Sequence, residues 1–76
     1  MTHELKILPE YFEAVLSRNK SFEIRRDDRD FKVGDTLLLK EYDSIFKVFT
    51  GRTAKRKITY ITAYAQQEDY IVMAMV

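Results

Sequence analysis

A chain of 76 residues with no cysteine and a single histidine is long enough for one domain, and it excludes disulfide bridges and thiolate metal sites. Thirteen Lys and Arg against twelve Asp and Glu leave a formal charge of +1, which excludes the unselective hold on nucleic acid that a clear basic excess provides. A hydrophobic fraction of 46% describes a folded domain, and no apolar run approaches about 18 residues, so a soluble, cytoplasmic protein without metal or cofactor is expected.

Residues 3–8, HELKIL, set Leu5 and Ile7 against Glu4 and Lys6 in the alternation of a strand. Pro9 fits the first position of a helix, where its missing N–H costs nothing, and Glu10 and Glu13 suit the positive end of the dipole. Leu8, Phe12, Val15 and Leu16 fall at i, i+4, i+7 and i+8. That stripe predicts a helix over 9–18 packed by a single face. Arg18 and Lys20 sit at the negative end, and Asn19 is expected to take the left-handed conformation that stops the helix.

Residues 21–26, SFEIRR, alternate again, with Phe22 and Ile24 assigned inward and Ser21, Glu23 and Arg25 to the opposite face. In DDRDFKV, 27–33, Asp27, Asp28 and Asp30 are candidate turn caps, Arg29 a partner for one of them, and Phe31 a core residue. Gly34-Asp35 is a turn signal. TLLLKEYD, 36–43, is a strand whose continuous leucines imply burial on both faces. A connection over 44–51 ends at Thr50-Gly51, RKITYITAY, 56–64, is a β-branched and aromatic strand, and YIVMAMV, 70–76, is the last. Met73 and Met75 share a face and are assigned to the core. One helix and about five strands make an α+β domain, with a small curled sheet or β-barrel and the helix packed on one flank.

The charged segment 20–25 carries the chemistry. On a strand rising about 3.3 Å per residue, Ser21, Glu23 and Arg25 project from one face, with Lys20 at the helix–strand corner beside them. An arginine fork suits phosphate or carboxylate, and a glutamate accepts from exocyclic amino groups or from that arginine. The same pattern also describes a plain solvated strand face. GRTAKRK, 51–57, is the single basic cluster; Arg52, Lys55, Arg56 and Lys57 either track phosphates or protect an edge strand from pairing. Phe46, Phe49, Tyr60, Tyr64 and Tyr70 could stack bases, but their alternation assigns them to the core or barrel lining. His3 reads as a polar strand-end residue.

The run HELKILPEYFEAVLS, followed by KSFEIR, DRDFKVGD, EYD, FTGR and KITYI, resembles the small bacterial and phage DUF3850 family, related to the ASCH domains of the PUA-like superfamily. The resemblance covers nearly the whole chain. It implies a small PUA-like β-barrel with a helix across it, and a cleft at the helix–strand corner. The ASCH pattern Gly-x-Lys-x-x-Glu-x-Arg maps onto Lys20, Glu23 and Arg25, and ASCH domains are thought of as RNA-associated modules. The glycine before the lysine is absent here, Arg18 and Asn19 standing in that stretch, and Phe49 stands where relatives often carry tyrosine.

Three functions follow as expectations. The first is a domain that binds RNA, a nucleotide or a modified base through Lys20, Glu23 and Arg25, with Ser21, Arg29 and Arg52 as further ligand-binding residues. In this reading Lys20→Ala and Arg25→Ala abolish binding and leave the fold intact. The second is a hydrolase of a modified nucleoside, with Lys20 and Glu23 as acid and base. It is disfavoured because Glu23 stands where the related amidohydrolases place a threonine nucleophile, and Ser21 matches a threonine that does not attack. The third is a phage or mobile-element accessory protein acting through protein contacts, its barrel flank or C-terminal strand, DYIVMAMV, adding to a partner's sheet edge or forming a homodimer.

Overall fold

Alternation governs the first strand, β1 (Thr2–Ile7): His3, Leu5 and Ile7 turn inward while Thr2, Glu4 and Lys6 face solvent. In the computed structural model, which describes residues 1–76, the chain then turns at Leu8, held extended as a residue before proline must be, into helix α1 (Pro9–Leu16). The helix has Pro9 in its first turn and buries Phe12 and Val15. Leu8 and Leu16 stay partly exposed, so the packed stripe is narrower than the spacing predicts. The helix also ends two residues earlier than predicted. Arg18, not Asn19, adopts the left-handed conformation (φ 65°), and its N–H bonds Val15 O at 3.1 Å.

Three strands and a short edge complete the domain: β2 (Phe22–Arg26), β3 (Thr36–Asp43), β4 (Val48–Thr62) and β5 (Tyr70–Met75). Together with β1 they form one mixed sheet in the order β1-β3-β4-β5-β2, with β1 parallel to β3 and the other pairs antiparallel. β4 starts well before the predicted 56 and carries the sheet round: its residues 48–57 pair with β3 and its residues 58–62 with β5. Twelve buried apolar residues make the core, among them Leu37, Leu39, Ile58 and Met73, with Phe31, Met73 and Met75 where the sequence places them. Leu38, between two fully buried leucines, is only half-buried, so β3 does not bury both faces equally.

The backbone ladder does not close into a barrel, because β1 and β2 are both edges. Two arginines span the gap instead. Arg25 donates to Lys6 O at 2.7 Å, and Arg29 donates to Glu4 O. The basic cluster of β4 lies in the part of the strand that pairs with β3 alone, before β4 takes up β5 at Ile58. β5 is interior, flanked by β4 and β2, so the expected addition of the C-terminal strand to a partner's sheet has no free edge to use.

β2 has its faces reversed relative to the expectation. Glu23 is 4% exposed and inward, while Phe22 and Ile24 are 41% and 50% exposed. The reason is the neighbour. Ile71, Met73 and Met75 of β5 form the stronger apolar row and take the interior, and the register sets Glu23 against Met73 and Arg25 against Ile71. The aromatic residues expected in the core, Phe46, Phe49, Tyr60, Tyr64 and Tyr70, are likewise exposed. Phe46 lies in the β3–β4 connection, Phe49 and Tyr60 on β4, Tyr64 in the loop to β5 and Tyr70 at the start of β5, while Ala54 and Ile58 are the β4 residues buried in the core.

Candidate functional site

The end of β1, the first turn of α1 and the whole of β2 enclose a groove of about 500 Å³, within the range of small-ligand pockets. Lys20 enters it from the α1–β2 corner, and Glu23 and Arg25 enter from β2. The three heads converge. Glu23 accepts from Lys20 Nζ on one oxygen and from Arg25 Nε, at 2.9 Å, on the other. Lys20 Nζ also donates to Phe22 O at 2.7 Å, and Arg25 reaches Lys6 O as described. The exposed edges of Leu8, Tyr11, Phe22 and Ile24 form apolar walls.

Bond by bond, the triad is not used up. A lysine ammonium has three hydrogens and an arginine fork five. Two of the former and two of the latter have protein partners, so one Lys20 hydrogen and three Arg25 hydrogens remain for a ligand. Each Glu23 oxygen keeps a lone pair. The groove thus offers donors for a carbonyl, ring nitrogen or oxyanion, an acceptor for an amino group, and aromatic walls for a planar ring.

The remaining predicted site residues lie elsewhere. Ser21 faces a second, smaller concavity beyond Lys20. Arg29 is occupied by Glu4 O and lies 3.9 Å from Asp28. Arg52 belongs to an ion cluster between the sheet and the helix: it donates to both oxygens of the buried Glu41 at 3.0 Å, pairs with Glu13, and lies 4.8 Å above the Phe12 ring. The Thr50-Gly51 pair, read from the sequence as the end of a connection, explains that cluster. Gly51, at φ 94°, forms a bulge opposite Glu41 rather than a chain reversal, so Thr50 Oγ1, at 2.6 Å, and Arg52 both address the same carboxylate. Lys6, Ile7, Leu8, Tyr11, Phe22 and Ile24 are the groove residues that sequence reasoning missed. The signal was present in Phe22 and Ile24 flanking Glu23, but it was assigned to the core.

Two carboxylates outside the groove titrate abnormally. The hydrogen bond from Arg52, followed by that from Thr50, holds Glu41 below its ordinary value of 4.5. Asp35 is held below 3.8, first by its 2.8 Å bond to His3. His3 is no strand-end residue, then: it is buried, with its ring 4.6 Å from Phe31. Because both folded values are depressed, the unfolded chain takes up these protons first as the pH falls. The stability that the two groups supply is complete above their unfolded values and is lost as the pH drops through the folded ones. Urea midpoints are therefore expected to fall between about pH 6 and about pH 3, and Glu41→Gln is expected to flatten that slope. A slope unchanged by Glu41→Gln would remove this carboxylate from the account.

A mixed five-stranded sheet with one short helix, carrying an ionic triad in a half-apolar groove, makes a small α+β domain. The chain belongs to the family described as Domain of unknown function (DUF3850), which it matches over residues 2–75. It is 40% identical over 72 residues to the uncharacterized 12.9 kDa protein in the GpA 3′ region of Escherichia phage P2. That alignment takes in 93% of this chain and spans 64% of the relative. No helix is long and apolar enough to cross a membrane.

Proposed function

We propose that this domain binds RNA, a nucleotide or a modified base in the groove, using Lys20, Glu23 and Arg25, and that its curled sheet is of the PUA-like, ASCH type. One observation carries the reading: two cations and a carboxylate meet inside one groove whose walls include Tyr11 and Phe22. A nucleobase presents carbonyl and amino groups on one edge and a flat apolar face, which matches donors and an acceptor set beside aromatic walls.

Titration of ribonucleotides and short oligoribonucleotides against the protein tests it. Arg25→Ala is expected to weaken binding about 30-fold, from the loss of one or two charge-assisted hydrogen bonds. Arg25→Lys, which keeps the charge and loses the fork, falls between. Affinity indifferent to both changes would reject the proposal.

Hydrolysis of a modified nucleoside is the second reading, favoured by the direct Lys20–Glu23 contact in the groove. No serine, threonine or cysteine lines the groove, so an acyl transfer there would have to use water activated by Glu23. Turnover of acylated nucleosides that disappears in Glu23→Gln would support this reading over simple binding.

A further inference from the structure

Lys20 lines two concavities. Behind it, Val15, Arg18, Ser21, Arg56, Met75 and Val76 bound with it a second hollow of about 100 Å³, room for about three waters or one tetrahedral oxyanion. We infer that this hollow is a phosphate subsite, so that the groove's ligand is a phosphorylated nucleotide, free or within an RNA chain, and not a bare base or nucleoside. The inference rests on the base-binding reading for the groove and adds the second half of the ligand.

The charge balance points to an anion. Arg18, Arg56 and Lys20, the last already paired with Glu23, line the hollow with no acidic side chain among them, and Val76 completes it with its N–H and O both bonded to Lys57. The Arg18 guanidinium has no carboxylate partner, and Arg56 reaches only the backbone carbonyls of Lys55, at 2.7 Å, and Val15, at 3.5 Å. Ser21 adds a hydroxyl that has no side-chain partner. The negative end of α1 lies on this side, with the carbonyls of Ala14 and Val15 already bonded. Ala14 O accepts from Ser17 Oγ and Lys20 N–H, and Val15 O accepts from Arg18 N–H. The two unpaired guanidinium groups are full charges against the partial charge of the helix end.

Position matters as much as charge. Arg18 is presented by the left-handed residue that ends the helix, and Arg56 sits in the inward-facing row of β4 between Ala54 and Ile58. Arg18 lies in the turn that closes the helix, and Arg56 in the ladder with β3 opposite Leu37. Lys20, already bonded to Glu23, stands between base edge and phosphate and can lend its free hydrogen to either.

The test follows backbone amide shifts at residues 18–21 and 56, and at Tyr11 and Ile24 in the groove. The probes are inorganic phosphate, the four ribonucleosides, their 5′-monophosphates and short oligoribonucleotides. Inorganic phosphate is expected to shift the first set and not the second. The monophosphates are expected to bind about tenfold tighter than their nucleosides. Arg18→Ala with Arg56→Gln should erase that advantage and leave nucleoside affinity unchanged. Tighter binding of the oligomers would assign the phosphate to a chain, and tighter binding of the monophosphates to a free nucleotide; either supports the subsite. No response of residues 18–21 and 56 to phosphate, or a monophosphate advantage that survives the double substitution, overturns it. Nucleosides that leave Tyr11 and Ile24 unmoved while phosphate still shifts the first set would refute the groove reading alone and leave the subsite standing.

Discussion

Glu23→Ala is expected to lower folding stability by about 3–5 kcal/mol, the range for removing one partner from a buried ion pair. The carboxylate is the middle of the triad, and its side chain is 5% exposed, against 17% for Lys20 and 29% for Arg25. Without it, two cations share a half-closed groove, keeping only the carbonyls of Phe22 and Lys6. A domain of this size is stable by about 4–11 kcal/mol, so this change removes a large part of the margin. Urea denaturation reads it directly. A loss below about 1 kcal/mol would mean that the three heads do not meet in solution.

The companion variant asks why the triad exists. Replacing Lys20, Glu23 and Arg25 together by Met, Leu and Met removes every charge and fills the space. Swaps of this kind are often neutral or stabilising by about 1–4 kcal/mol. A triple variant as stable as the parent and unable to bind would show that the ions serve the ligand. One that unfolds would assign them to the fold. The same geometry changes how Lys20→Ala and Arg25→Ala must be read: each leaves Glu23 with a single cation, so neither is silent for stability, as the sequence alone would suggest, and affinities must be compared where both variants are folded.

Most of the elements were legible because each carries a local signal. Pro9 with a stripe at helical spacing marks α1, the leucine run marks β3, and Ile71, Met73 and Met75 mark β5. What could not be read locally was which face of a strand wins when both carry candidates. In β2 the two apolar residues lost the interior to a glutamate, because register with β5 decides the face and no property of residues 22–26 reveals that register. Lys20, Glu23 and Arg25 nonetheless lie in contact, since alternation keeps Glu23 and Arg25 together whichever side they take. Arg52 was misgrouped for a related reason. Thr50-Gly51 is equally good chemistry for a turn or a bulge, and only pairing of β4 with β3 distinguishes them.

Phe12→Ala is expected to cost about 3–5 kcal/mol and, beyond that, to damage the groove from behind. An eight-residue helix has no stability of its own in water, so α1 is held by what it buries. It buries Phe12 and Val15, each 1% exposed, and Phe12 is the larger, with the Arg52 guanidinium over its ring. The helix in turn carries Leu8 and Tyr11 at its start, one wall of the groove, and the Arg18–Lys20 corner at its end. Truncating Phe12 should therefore weaken ligand binding without touching a groove residue, while Phe12→Leu, which keeps most of the apolar contact, should lose less stability and retain the wall. Far-UV dichroism and urea midpoints measure the first effect, and the Tyr11 amide shift measures the second. If Phe12→Ala were to unfold the chain outright, Phe12→Leu would still decide the point: an unshifted Tyr11 and near-parent affinity fit a helix that positions the wall. Full stability with lost binding in that conservative variant would not, because the groove would then depend on Phe12 by some route other than holding α1 in place.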